Sequence, residues 1–471
     1  MTLLSPEDFR ASLHDGRRVY YRGRRVDDVL AEPDLAVAID NAVLDYELAT
    51  DPEQREHTVV KDRETGDEIS ALYQIPRSAD DLLERSRVIE LATEHGYSIP
   101  PLIKEIGTDA LYAFLRLLDG EELERARAFY AHCRDGDLAL AVAQTDVKGD
   151  RSLPPHGQAD PDLYLRVVER RADGIVVRGA KAHTSASVNA HEIIVLPTRA
   201  MGPEDQDYAL SFATPVATEG ITLYVSSYGG GAKGEFAAPA SSRTRMLETL
   251  TVFDDVFVPW ERVFLCGDSA RAGVLALGFV EYHRFTAVSY KLPLIDAFVG
   301  AAISIAQMNG VAKAGHIRDK VTHLITYAET VRALTEMAAL RFQIGAHGIA
   351  YPDPMTVNMA KYTFASGYHQ AVALLQECAG GLLVTGPGDE DWASPEVRPV
   401  LEKYFRAACD AEERLRMMNL ISDLTASDFG GYHAVLAVHA EGSVEAEKMQ
   451  ILRSYDSGPA LKRARRFAGL D

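Results

Sequence analysis

The chain has 471 residues, with 49 Lys+Arg against 69 Asp+Glu, for a formal net charge of −20. Hydrophobic residues make up 47 % and charged residues 25 %, which excludes a largely disordered chain and suits a soluble globular protein. The length suggests about three domains. The acidic excess argues against a surface built for nucleic-acid backbones or anionic membranes, although a local basic pocket could still take an anion.

The first residues, MTLLSPEDFRASLHDG, carry no basic region followed by an apolar core, so no secretory signal is expected there. The weakly polar stretch from Ala297 to Ala306 is about half the length a bilayer span needs. Cys133, Cys266, Cys378 and Cys409 are far apart and form no CxxC pair. Reduced thiols in a cytoplasmic protein are the expectation.

In chain order, Glu7 to His14 predicts a short helix after Ser5-Pro6. Arg17 to Val29 predicts a hairpin around Gly23. Ala79 to Tyr97, Thr108 to Leu117 and Glu121 to Cys133 carry helical periods, the first behind Ser78 as N-cap. From Leu138 to Val263 the pattern turns to strands. Those at 163–168 and 175–179 flank an Asp173-Gly174 turn. Further strands are expected at 192–196, 208–213, 221–225 and 249–253. Strands in succession indicate an antiparallel sheet or barrel, and no GxGxxG follows any of them. Gly229-Gly230-Gly231 reads as a loop. Long helical patterns return at 293–309, 311–345, 353–380, 394–425 and 443–454. Three domains follow: 1–137 helical, 138–270 β, and 271–471 a helical bundle. The basic stretch Lys462 to Arg466 reads as solvated.

Four segments could carry chemistry. Thr145, Asp146, Lys148, Arg151 and Ser152 lie on one loop with Gly149, and these donors suit the polar edge and phosphates of a bound cofactor. Lys181, Thr184 and Ser185 follow an apolar strand and could, with Arg284, serve the same ligand. Glu248, just before a strand, and His283, beside Arg284, could share general acid and base work, because their ordinary pKa values bracket neutrality. Gly380-Gly381 at a helix end would let backbone approach a phosphate. Taken alone, the loops suit a solvated turn, His283 a satisfied structural histidine and Gly380-Gly381 an ordinary helix stop.

Together, DVKGDRS (146–152), GIVVRGAKAH (174–183), HEIIVLPTRAM (191–201), VFDDVFVPWERVF (252–264) and Tyr282-His283-Arg284 resemble the 4-hydroxyphenylacetate 3-hydroxylase superfamily. The likeness is strongest to its 4-hydroxybutyryl-CoA dehydratase branch, and residues 19–29 fit the N-terminal pattern. The resemblance implies an acyl-CoA dehydrogenase-like fold of mixed α and β structure. Its parts are a helical N-terminal domain, a central antiparallel β-domain and a C-terminal four-helix bundle, in a homotetramer. It implies FAD between the β-domain and the bundle, with Gly380-Gly381 near the pyrophosphate at a subunit boundary. It also carries polar active-site positions onto Glu248 and Lys291.

The departures from the pattern are specific. The dehydratases hold a [4Fe–4S] cluster with one histidine and three cysteines. The histidine falls at His283, but the cysteines fall at Tyr290 and near Pro101 and Glu105. No metal site is expected. The phenol-binding residues of the hydroxylase branch fall near Ile106, Ala110 and Val142, all apolar here. One reading is the oxygenase component of a two-component FAD monooxygenase served by a separate flavin reductase and acting on a small organic substrate, aromatic or carrier-bound. Another is a cluster-free acyl-CoA isomerase or dehydratase-like flavoenzyme of the vinylacetyl-CoA isomerase type. A third is a flavin-binding protein without catalysis.

Overall fold

The computed structural model describes residues 3–470. Its N-terminal part opens with helix α1 (Pro6–Ser12), capped by Ser5, and the hairpin β1 (Val19–Tyr21) and β2 (Arg24–Val26). Helix α2 (Pro33–Thr50) follows, buried on most sides, so no apolar stripe marks it in the sequence. Next come α3 (Arg55–Thr58), the ribbon β3 (Val59–Lys61) and β4 (Glu68–Ser70), and helices α4 (Ala79–His95), α5 (Glu105–Leu117) and α6 (Gly120–Asp135).

The central part holds β5 (Leu140–Ala143), β6 (Arg166–Arg170), β7 (Gly174–Ser185), β8 (Glu192–Val195), β9 (Leu210–Pro215), β10 (Ile221–Val225), β11 (Glu248–Pro259) and β12 (Val263–Cys266). They form two sheets, ordered β2-β1-β10-β11-β7-β6 and β12-β9-β8-β5. Pairing is antiparallel except at β1·β10 and β5·β8, which run parallel. The first exception shows that the 17–29 hairpin does not stay with the N-terminal helices. Val19 and Tyr21 bury their side chains on the central sheet, so the β-layer draws on both sides of residue 137. Across the sheets, Phe212 of β9 meets Phe253 of β11 edge-on at 5.9 Å.

The C-terminal part begins with α7 (Ser269–Met308), α8 (Gly315–Leu340), the short pair β13 (Gln343–Ile344) and β14 (Ala350–Tyr351), and α9 (Pro354–Ala379). Then come α10 (Asp389–Ala393), α11 (Arg398–Tyr404), α12 (Ala411–Thr425), α13 (Asp428–His439), α14 (Val444–Ser454) and α15 (Gly458–Phe467). Helices α7, α8, α9 and α12 pack as the bundle. The expected helix at 394–425 is two helices, because Asp410 caps a new start by accepting from Glu413 N–H.

Pro293 does not start a helix. It lies inside the 40-residue α7, which begins at Ser269. A proline inside a helix forfeits one ladder bond, at Ser289 C=O, and packing of its buried neighbours Leu292 and Leu294 offsets that loss. By length and apolarity α7 would also suit a bilayer, but 61 % of its most apolar window is buried within the protein, as a core helix requires. One apolar core joins the N-terminal helices, both sheets and α7 up to Tyr290. A second fills the bundle from Leu292 onward. Lys291 stands at the junction of the two.

Candidate active site

A cavity of about 730 Å³ opens at this junction, a volume typical of small-molecule and cofactor sites. Thr145, Lys148, Arg151, Ser185, Glu248, His283, Arg284 and Lys291 all line it. Chain separations of up to 146 residues are thus closed by the fold.

Glu248 opens β11 and sits directly opposite Ser185 of β7 in the sheet register. That pairing explains its first donor, Ser185 Oγ, 2.9 Å from both carboxylate oxygens. Tyr432 OH of α13 donates to Oε1 at 2.9 Å. Burial outweighs these two hydrogen bonds and pushes the Glu248 pKa up from 4.5 to about 7.

Glu441, in the loop between α13 and α14, carries the opposite shift. Burial alone would raise its pKa, but the cations Lys291 and Lys361 dominate and hold it at about 2. Lys291 Nζ donates to Glu441 Oε2 at 2.8 Å, and Tyr290 OH donates to Oε1. Burial lowers Lys291 itself to about 8, against the pull of Glu441. The Glu441 backbone is left-handed, with φ +58°. Arg284 secures this bend by donating from Nε to the Glu441 carbonyl at 3.1 Å and from Nη1 to Asn358 Oδ1 at 2.5 Å. The next residue must be glycine: its φ is +114°, and a Cβ at Gly442 would lie 2.6 Å from Arg284 Nη2.

His283 does not contact Glu248. Its Nδ1 lies 3.3 Å from Asp109 Oδ2 on α5, and its ring stacks on Phe279 at 4.9 Å. Asp109 is wholly buried and also accepts from Arg85 Nη2 at 2.8 Å and Thr286 Oγ1 at 2.9 Å. The group that orients His283 is therefore Asp109, not Glu248. His433 also borders the cavity, and burial pulls its pKa down to about 4.

Several expected cofactor residues have other partners: Arg284, though it borders the cavity, is taken by the Glu441 carbonyl and Asn358. Asp146 and Lys181 form a buried ion pair at 3.0 Å, and Lys181 also donates to the carbonyls of Gln144 and Leu196 at 3.0 Å. They buckle the 144–152 loop to the sheet and do not line the cavity. Strand alternation turns His183 and Ser185 toward the cavity and Thr184 into the protein. Ser152 is exposed and bonds Asp150 Oδ1 at 2.7 Å, a local turn. Gly380, with φ +83°, ends α9, and Gly380 and Gly381 are exposed and outside the cavity wall. A phosphate role for them needs a second chain.

Sequence reasoning missed Glu441, Tyr432, Asp109 and Arg199. Only Asp109 left a signal: a single acid in the apolar run Ile106 to Leu117, where a buried charge demands a partner.

The donor set fits FAD. Lys148, Arg151 and Arg199 border the cavity and make no side-chain hydrogen bond or ion pair among the described residues. Burial and the like-charged Arg151, Lys181 and Arg199 lower the Lys148 pKa against the pull of Asp146, so a further anion would relieve the cluster. A pyrophosphate would supply one. A [4Fe–4S] cluster does not fit the residues where the resemblance puts its ligands. Pro101 offers no ligand atom, Glu105 is wholly buried with Oε2 taken by Lys104 N–H, and Tyr290 OH is bonded to Glu441.

Residues 5–265 match the family profile described as 4-hydroxyphenylacetate 3-hydroxylase N terminal, and residues 272–469 match the corresponding C terminal. The chain is 31 % identical to 4-hydroxybutyryl-CoA dehydratase/vinylacetyl-CoA-Delta-isomerase of Clostridium aminobutyricum, over 99 % of this chain and 100 % of that protein. The solved oxygenase component of 4-hydroxyphenylacetate 3-monooxygenase, complexed with FAD, superposes with a TM-score of 0.92 at 28 % identity, covering 98 % of each chain. In fold alone, glutaryl-coenzyme A dehydrogenase matches at TM-score 0.52 and 13 % identity, over 100 % of this chain and 97 % of that one. The fold is thus acyl-CoA dehydrogenase-like, and the chain belongs to the 4-hydroxyphenylacetate 3-hydroxylase family.

Proposed function

We propose that this protein is the FAD-dependent oxygenase component of a two-component monooxygenase acting on a small organic substrate. The observation that carries the reading is one cavity lined both by the unpaired cations Lys148, Arg151 and Arg199 and by Glu248, able to take a proton near neutrality. Lys148, Arg151 and Arg199 would hold the dinucleotide's phosphates, and Thr145 and Ser185 would bond its polar edges. When bound in reduced form, FAD supplies the two electrons that let O2 insert one oxygen atom into the substrate and leave the other as water. Glu248 takes the substrate proton. Lys291, held charged by Glu441, and His283, oriented by Asp109, stabilise negative charge and return a proton. The apolar wall of Ile106, Val142 and Phe279 excludes water.

A separate reductase, a homotetramer and a cytoplasmic location with reduced thiols complete the proposal. Helix α15 supports the tetramer, since Leu461 and Phe467 are exposed and no other element among the described residues covers them. The four cysteines are free, which suits reduced thiols. The test supplies reduced FAD from a reductase, O2, and a panel of phenols and aryl thioesters. Reduced-FAD-dependent formation of a hydroxylated product is expected; flavin oxidation without product across the panel refutes it.

A second reading has a specific observation behind it. Glu248 and Lys291, which exchange protons near neutrality, with Glu441 as a fixed negative charge beside them, also suit redox-neutral isomerisation of an acyl thioester. Solvent deuterium entering vinylacetyl-CoA in the presence of protein and FAD would favour it.

A further inference from the structure

Behind Lys291 and Glu441 lies a second ionic layer that does not line the cavity. Lys361 of α9 is wholly buried. Its Nζ donates to Ala437 O at 2.9 Å and stands 3.6 Å from Glu441 Oε2 and 3.5 Å from Glu447 Oε1. Glu447 of α14 is also wholly buried, and neither of its carboxylate oxygens has a hydrogen-bond partner among the described residues. A buried carboxylate without hydrogen bonds is costly, and an apolar side chain would close α14 on α9 more cheaply. The four groups alternate in sign from the inner layer to the cavity: Glu447, Lys361, Glu441, Lys291.

We propose that Glu447, acting through Lys361, is a positioning residue that keeps Lys291 and Glu441 a charged pair facing the cavity. With Glu447 present, Lys361 divides its attraction between two carboxylates. Without it, Lys361 and Lys291 share Glu441 as their one carboxylate partner, with the Arg284 guanidinium close behind. The excess of buried positive charge then falls on Lys291, the ammonium that borders the cavity and can lose its proton. The other titratable groups facing this cluster are Tyr290 and His283 from α7, Glu248 from β11, and Tyr432 and His433 from α13. None of them neutralises Lys361.

The inference rests on the site assigned above but not on its reaction, and the test needs no substrate. The intact protein is pulse-labelled with acetic anhydride across a pH series, and label at Lys291 is read by peptide mass spectrometry. Wild-type reactivity should be half-maximal at about pH 8. In Glu447→Gln the midpoint should fall by roughly half a pH unit or more, and Glu447→Asp should restore it. An unmoved Glu447→Gln midpoint overturns the proposal. So does a wild-type Lys291 that takes no label at about pH 10, where an amine on the cavity must react. If Glu447→Gln does not fold, Lys361→Met carries the test. Its midpoint should rise, because the cation that disfavours a charged Lys291 is gone, and an unmoved midpoint is again fatal.

Discussion

Glu248→Gln should make the FAD-free protein relatively more stable as pH rises. Burial raises the Glu248 pKa from 4.5 to about 7 in the folded state, against hydrogen bonds from Tyr432 and Ser185. Between those values the folded protein holds this proton more tightly than the unfolded chain does. The stability it contributes is therefore full below about pH 4.5 and lost as pH climbs through 7. At about 1.4 kcal/mol per pKa unit, the loss is at most about 3 kcal/mol. Glu248 keeps partial contact with the cavity, so about half that figure is the better expectation. Glutamine cannot ionise and escapes the loss. Its altered hydrogen bonding to Tyr432 and Ser185 adds an offset that does not vary across this range. The decisive quantity is thus the slope: the stability difference between variant and wild type, followed by urea unfolding from pH 5 to pH 8.5. It should grow by about 1–3 kcal/mol in favour of the variant. Parallel curves would refute a proton held by Glu248 near neutrality, and with it the choice of base.

Tyr432→Phe removes a donor that favours ionised Glu248, so the pKa rises further. The acidic limb of the turnover profile should move up by roughly half to one pH unit, and an unmoved limb would separate Tyr432 from the chemistry. Asp109→Asn leaves Arg85 buried without its carboxylate and His283 without its acceptor. A loss of about 3 kcal/mol in unfolding free energy is expected, and a shift near zero would show that Asp109 is not the anchor. Arg151→Glu reverses a cation in the unpaired cluster. FAD affinity measured by flavin fluorescence should fall about tenfold or more, and more steeply at low salt. Equal affinity at every salt concentration would remove the cluster from the phosphate site.

The two carboxylates that face the cavity show what kind of knowledge each level supplies. Glu248 was visible in the chain, ahead of a β-branched strand, and so was the order of helical, β and helical segments. Both rest on short-range signals: apolar period, capping residues such as Ser78, and the Asp173-Gly174 turn, all written within a few residues. The cofactor loop at 145–152 was equally legible, but its internal division was not. Asp146 and Lys181 read as ligands until their ion pair showed them to be the loop's fastening. Alternation along β7 could have separated Ser185 from Thr184, once the exposed face was known.

Tertiary structure alone decided the rest. Lys291 and Glu441 are 150 residues apart, and nothing local to either announces the other. Their pairing depends on α7 running unbroken through Pro293 and on the left-handed turn that swings Glu441 inward. The protonation states follow the same rule. A pKa is set by desolvation and by charges a few ångströms away in space, so two glutamates with one reference value end at about 7 and about 2. The sequence determined the order of helical and β segments and a donor-rich loop, and its family resemblance implied a flavin scaffold with no cysteine at the cluster positions. The packing of α13 and α14 against α7 and α9 decided which of its carboxylates takes a proton and which stays charged.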